Sequence, residues 1–410
     1  MALTFDYKVR DRGGNLVQGQ LEGDSLSLVV SKLREMGYMP IAVTPKTKVD
    51  VRKEITIPFL SNRVKLAETA VATRQLATMV DSGLSVVRSL SILTSQVENK
   101  ELARVFGEVK LDVERGSSLS AACAKHPKVF SRLFVTMVQA GEAGGTLEKV
   151  LMDLAKTMEK QAVLIRTVRS AMTYPAIVVS VMVIIFLALL VFIVPVFKKL
   201  FSSLHATLPA PTLALIGISN IILSPWSVLL VAIIIGAVVA LRKWIKTEDG
   251  RAKWDAFKLK PPVFGPLMHK VSLARFTGTF SSLIQSGVPI MEALDIVTDT
   301  AGNVVVGRVL QEAKLGVRDG RSLADSLKGH EDVMPQLVIQ MIEVGEQTGA
   351  LDAMLGKVSE FYDGEVETTV NNLTSLLEPM LTVIMGAGVG VMVISMYLPM
   401  FDYIKHIPQS

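Results

Sequence analysis

A single cysteine in 410 residues, Cys123, excludes an intramolecular disulfide and suits a reducing compartment. It reads as a small apolar helix residue rather than a nucleophile. The five histidines, at 126, 205, 269, 330 and 406, show no metal-ligand spacing. His126 and His330 read as structural residues near turns. No GxxxxGK[ST], HExxH, CxxC or GxSxG occurs. "GALDAMLGKV" has the wrong spacing for a P-loop and a valine where Ser or Thr would hold magnesium. The expectation is a chain without catalytic residues, cofactor or metal. A net charge of +5 is too modest to suggest nucleic-acid binding.

Charge is also missing in blocks. No Asp, Glu, Lys or Arg lies between Arg169 and Lys198, between Lys199 and Arg242, or between Glu378 and Asp402. Each run exceeds the roughly 20 apolar residues that span a bilayer. Half the residues are hydrophobic, and the mean hydropathy is +0.43. The expectation is an integral membrane protein with three transmembrane helices. "MALTFDYKVRDRGG" has no signal-peptide core, so the N-terminal part is expected to stay in the cytoplasm. "RKWIKTEDGRAKWDAFKLK" (242–260), with seven basic and three acidic residues, places the following segment inside as well. The C-terminus is then outside, and Lys198 and Lys199 run against the rule.

What is present is present twice. "VQAGEAGGTLEKVL" (138–151) returns as "IEVGEQTGALDAML" (342–355), 204 positions later. The same offset pairs "TRQLATMVDSGLSVVRSLSILT" (73–94) with "TGTFSSLIQSGVPIMEALDIVT" (277–298), Gly116 with Gly320, Pro175 with Pro379 and Pro195 with Pro399. The repeat unit is therefore a soluble module plus the span that follows it. Two such units in parallel require an extra crossing between them.

Both modules carry apolar residues at helical spacing, such as Leu76, Met79, Val80 and Phe280, Leu283, Ile284. "SG" at 82–83 and 286–287 marks a helix–helix turn, and a long helix from Thr146 is expected to continue toward the first span. The N-terminal stretch alternates around Gly13–Gly14 and reads as a small ββαβ domain. The expected fold is mainly α. Its domains are an N-terminal α+β domain (1–43), a linker (44–63), helical module one (64–170) and a first span (171–197). An outer loop (198–212), a second span (213–241) and a basic loop and linker (242–266) follow. Helical module two (267–375), a third span (376–401) and an outer tail (402–410) complete the chain.

The repeated acidic turns, Gly141, Glu142, Gly145 and Gly345, Glu346, Gly349, have two readings. The glycines permit tight backbone geometry, and the carboxylate can cap the helix that follows. An acidic turn could instead dock a partner; one carboxylate is a poor metal cage. Glu378 reads as a hydrated interfacial carboxylate beside Pro379. Gly386 and Gly390 form a GxxxG pair suited to close helix packing, within the chain or between protomers.

Together these segments resemble the type II secretion protein F and type IV pilus inner-membrane platform (PilC-like) family. "RSAMTYPAIVVSVMVIIFLALLVFIVP" (169–195) is similar to the family's membrane signature, with Arg169, Tyr174 and Pro175 in place. "SGVPIMEAL" (286–294), the two GE-x-x-G-x-L turns and "LLEPMLTVIMGAGVGVMVISMYLPMF" (376–401) are similar to family segments, with Gly144 standing where Ser or Thr is usual. The resemblance covers essentially the whole chain. It implies a multi-pass protein of the cell inner membrane with no enzymatic activity. Its partners would be a cytoplasmic hexameric assembly ATPase, pilin or pseudopilin transmembrane helices, other inner-membrane assembly proteins and further copies of itself. The alternative class is a transporter or channel subunit, which would need an intramembrane polar site.

Overall fold

The computed structural model describes residues 3–10, 16–23, 26–45, 64–203, 208–262 and 264–405. Most of the expected linker, the Gly13–Gly14 turn, His205 and His406 lie outside these. The N-terminal unit holds β1 (Leu3–Arg10), β2 (Leu16–Gly23), α1 (Leu26–Glu35) and β3 (Met39–Pro45). The strands form an antiparallel sheet in the order β2-β1-β3. Alternation along β1 puts Phe5 and Val9 on one face, where they meet Val29 and Leu33, one turn apart on α1. This is the expected ββαβ arrangement.

The rest of the described chain is helical. Module one contains α2 (Leu66–Asp81), α3 (Val86–Gln96), α4 (Lys100–Glu114), α5 (Leu119–Ala124), α6 (Arg132–Gly144) and the start of α7 (Leu147–Ala188). Helix α7 runs on without a break through a π-helical turn, Leu189–Ile193, into α8 (Val194–Ser203). Module two repeats the pattern with α12 (Phe264–Gln285), α13 (Ile290–Thr300), α14 (Val304–Arg318), α15 (Leu323–Leu327), α16 (Gln336–Thr348) and α17 (Leu351–Lys405). Between the repeats lie α9 (Ala210–Leu223), α10 (Trp226–Trp244) and α11 (Glu248–Lys258).

Turn chemistry explains the segmentation. Gly83 and Gly287 sit at the two "SG" corners with φ of 86° and 80°, a left-handed conformation that costs glycine little. Side chains of Ser85, Asn99, Ser118 and Ser131 cap the next helices of module one by accepting a backbone N–H. Apolar stripes of both modules merge into one core, which includes Leu76, Phe106, Phe134 and Leu154 from the first and Phe276, Phe280, Leu310 and Leu355 from the second.

Among the described residues three helical stretches are long and apolar enough to cross a membrane: Leu147–Ser202, Trp226–Trp244 and Leu351–Pro399. Three expectations need correction. The second span, expected at 213–241, is broken at Ser224–Pro225; only α10 has the length to cross, with Trp226 and Trp244 at its two ends. Proline cannot donate the hydrogen bond that would continue α9, so the apolar run splits there. The basic segment expected as a loop folds as α11, capped by Thr247 and held against α14. There Asp255, nearly buried, accepts the Val304 N–H at 3.2 Å and so caps α14. The expected outer loop likewise contains the end of α8 and the first turn of α9.

Candidate functional site

The features that distinguish this molecule are two joints, one between each soluble module and its long helix, and the ends of those helices. At the first joint Gly145 is left-handed (φ 66°) and Thr146 donates its N–H to the Gly141 carbonyl at 2.9 Å. At the second, Gly349 has φ 70° and Ala350 donates to Gly345 at 3.0 Å. These are Schellman-type endings of α6 and α16, after which the chain starts α7 or α17 within two residues. Gly141 and Gly345 lie where the two helices cross. A Cβ on Gly141 would be 3.0 Å from Val150 Cβ; one on Gly345 would be 2.8 Å from Leu351 Cα.

The glutamates cap a helix, but not the expected one. Glu142 lies inside α6, and its carboxylate accepts the N–H groups of Leu119 (2.5 Å) and Ser120 (3.1 Å) and the Ser120 hydroxyl at the start of α5. Glu346 accepts those of Leu323 (2.7 Å) and Ala324 (2.9 Å) at the start of α15. Both carboxylates face back to an earlier helix, in keeping with the tilt of helical side chains toward the N-terminus of their own helix. A negative charge there also complements the helix dipole. Among the described residues no three His, Cys, Asp or Glu side chains converge on a metal-sized site. Burial, aided by the nearby Glu142 carboxylate, pushes the Cys123 thiol well above its ordinary range. The thiol is thus kept protonated and unreactive. His126 and His330 lie beside Glu108 and Glu312 at 3.6 and 3.2 Å, equivalent pairs in the two repeats.

Arg169 and Tyr174 are exposed on α7, and Glu378 is exposed on α17. Pro175 and Pro379 are carried inside these helices near the start of their apolar parts. Gly386 and Gly390 face open space, so among the described residues no helix fills the GxxxG face. An apolar groove of about 340 Å³ separates α7 from α17 beside it, lined by Phe186, Leu187, Ile384 and Met385 among others.

At the far ends, equivalent prolines create equivalent problems. Pro195 has no N–H, which leaves the Leu190 carbonyl without its π-helical donor; Pro399 leaves the Ser395 carbonyl without its α-helical one. In an apolar surrounding an unpaired carbonyl is costly. Both are satisfied from α9: Ser219 donates its hydroxyl to Leu190 at 2.6 Å, and Thr212 donates to Ser395. Ser219 and Thr212 are buried and two turns apart on one face of α9. Leu215 and Ile216 on α9 pack with Leu190, Val194, Met392 and Met396. Phe197 and Tyr397 meet edge-on nearby, with ring centroids 6.4 Å apart. Lys198, which runs against the charge rule in the expected orientation, donates to Asn220 of α9 at 3.1 Å. Sequence reasoning missed this staple. Its signal was two hydroxyls seven residues apart in a charge-free helix that has no repeat counterpart.

Comparison with known proteins follows the same architecture. The model of "Type II secretion system (T2SS), protein F" matches residues 72–195 and again 276–399, and that of its N-terminal domain matches residues 1–44. The chain is 40% identical over 399 residues to a type IV pilus assembly protein PilC of Myxococcus xanthus, covering 97% of this chain and 94% of the relative. It is 40% identical over 401 residues to the PilC of Thermus thermophilus, covering 98% of each. A type II secretion system protein F of Xanthomonas campestris is 31% identical over 402 residues, covering 97% of this chain and 98% of the relative. With both repeats and the N-terminal unit matched over nearly its full length, the chain belongs to the type II secretion system protein F family.

Proposed function

We propose that this protein is the inner-membrane platform of a type IV pilus or type II secretion machine. In this reading it couples a cytoplasmic hexameric assembly ATPase to the insertion of pilins or pseudopilins into a fibre. The supporting observation is mechanical. Each soluble module ends in a tight glycine joint that launches one unbroken helix through the apolar region, and α9 ties the two far ends together. Displacement of a module is thereby passed to the membrane segment without a flexible link. The modules receive the ATPase, the apolar groove between α7 and α17 faces a pilin helix, and other inner-membrane proteins and further copies of the chain complete the assembly. No enzymatic role is assigned to it. The N-terminus and both modules are cytoplasmic, and the C-terminus is outside.

The buried hydroxyls in the apolar region argue against the transporter alternative. Thr212, Ser219 and Ser395 are each committed to a backbone carbonyl. A transport site needs polar groups free to meet cargo.

Three experiments test the reading. Crosslinking from the exposed module surfaces in assembling cells is expected to capture an ATPase; its consistent absence would count against the platform role. Insertion of Gly-Gly after Arg166 is expected to leave the protein in the membrane and abolish fibre assembly, and full assembly would remove the rigid-helix argument. For orientation, cysteines at Ser202 and Lys253 in a Cys123→Ala background are expected to label from outside and inside respectively. The reverse pattern would overturn the topology.

A further inference from the structure

The two modules of one chain meet through different faces. Module one contributes α6 and the outer side of α7; module two contributes α12, the α12–α13 corner and the start of α17. Arg132 pairs with Asp299 at 3.1 Å, Thr157 and Ser282 share a hydrogen bond of 2.7 Å, and Gln161 donates to Thr279 at 3.2 Å. Such a contact is heterologous. Each module has used one of two faces and keeps the other unused.

The offset of 204 identifies the unused faces, because equivalent residues differ in exposure. Leu133 is 3% exposed, but Leu337 is 40%; Val288 is 4%, but Leu84 is 38%; Thr157 is 8%, but Phe361 is 49%. Single exposed apolar residues are ordinary on any surface. These, however, occupy positions that are buried in the other repeat, and Val344 extends the same patch on α16.

We propose that these two faces cover each other between copies. The α16 face of module two, with Phe361, packs on the α2–α3 corner of module one of a second chain, where Leu84 stands. Both long helices of a chain run side by side toward the membrane, so copies related in this way share a rotation axis along the membrane normal. A heterologous contact about one axis closes into a ring where its rotation divides a full turn, and two chains with four modules form the smallest. The contact between chains is shallower than the one within a chain. Arg74 and Met152 fill the seam of module one where Gly278 and Gly356 leave room in module two. The proposal rests on the self-association included in the platform reading.

The test uses the full chain in membranes with Cys123→Ala. Leu84→Cys and Val344→Cys, on separately tagged chains, are expected to give a bismaleimide-linked pair only when both chains are present. The repeat-equivalent pair Ala140→Cys and Val288→Cys, whose positions line one cavity, is the control within a chain. Leu84→Glu and Phe361→Glu are expected to weaken self-association in detergent by about tenfold or more, measured by light scattering. Five outcomes overturn the proposal. An oligomer whose chains do not link, although the control does, defeats the pairing of faces and leaves self-association standing. A monomeric mass for the unsubstituted protein defeats both. Leu84→Cys linking to itself makes the contact isologous, and a link from position 84 to a different protein gives that face to another partner. If the control pair fails, the light-scattering result decides, and an unchanged mass for both glutamate variants is likewise fatal.

Discussion

In repeat one the seam between α2 and α7 is closed by Arg74, which donates to both oxygens of Glu159 at 2.9 and 2.6 Å. In repeat two the same positions are Gly278 and Asp363. A Cβ on Gly278 would lie 2.7 Å from Ser359 Oγ, so a side chain there would have to displace that hydroxyl. The vacated side takes the outer face of α7, which bonds Ser282 and Thr279. A polar cavity of about 310 Å³ remains at this junction, and the Nε of Arg275 and one carboxylate oxygen of Asp153 are buried without a partner. The comparison separates two kinds of position. Those at the joints, Gly141, Glu142 and Gly145 with Gly345, Glu346 and Gly349, are the same in both repeats; those of the seam, which borders the meeting of the modules only in repeat two, have diverged, because a single chain has only one such meeting.

The sharpest way to break the shared part is to fill the helix crossing. Gly345→Ala puts a methyl against backbone, which cannot move aside cheaply, and is expected to cost about 1–3 kcal/mol. Gly141→Ala meets mainly the Val150 side chain and should cost less. Unfolding of the full chain in detergent, compared for the two variants, checks the order; a larger loss at Gly141 would contradict the geometry. Next come the caps. Glu142→Ala and Glu346→Ala each strand backbone N–H groups of a short helix, at about 1–3 kcal/mol. Glu142 also holds the Ser120 hydroxyl, whose counterpart is Ala324, so the first variant should lose more. Hydrogen exchange at residues 119–121 and 323–325 localises both effects. A smaller loss follows from unstapling α9. Thr212→Val and Ser219→Ala each leave one carbonyl unpaired in apolar surroundings, at about 0.6–2 kcal/mol. Equal melting temperatures for these variants and the unsubstituted chain would show that the staple contributes no stability.

Much of this architecture was legible beforehand because it repeats. The offset, the "SG" corners, the helical stripes and the charge-free runs each follow from local chemistry that a sequence displays directly. The ββαβ unit was legible for the same reason: alternation along β1 and Gly37 after α1 are local signals. The partner of Glu142 was not, because the cap closes over 22 and 23 residues and nothing in "GEAGG" points backward. Hydrophobicity alone could not show that 213–241 breaks, since α9 and α10 are both apolar; Pro225 was the available signal. Asp255 looked like one acid among many bases, and its role appears only when α14 is placed beside it. The divergence at Arg74 and Gly278 was visible in the alignment, but its meaning depends on the packing of α7 against α12 and α17.

The smallest expected effect sets the two seams against each other through pH. The Arg74 hydrogen bond holds the Glu159 carboxyl below its ordinary value. A lowered folded pKa means that this stabilisation is complete above the unfolded value, about 4.3, and is lost as pH falls through the folded one. Burial raises the Asp363 carboxyl, and Lys160 offsets this only in part. Its contribution therefore has the opposite sign: it is present below the unfolded value and is lost as pH rises through the folded one. Acidification from about pH 7 toward pH 4 should relax the seam of module two, whereas that of module one weakens only below about pH 4.3, so a range from about pH 7 to pH 3 spans both changes. Glu159→Gln should flatten the first dependence, whereas Asp363→Asn should flatten the second and stabilise the chain near neutral pH. Each difference is expected below about 1 kcal/mol, because Glu159 is more than a third exposed and screened by water. Urea unfolding of the three proteins across that range reads both slopes. If the two variants shift in the same direction, the seams do not differ in the way that Arg74 and Gly278 imply.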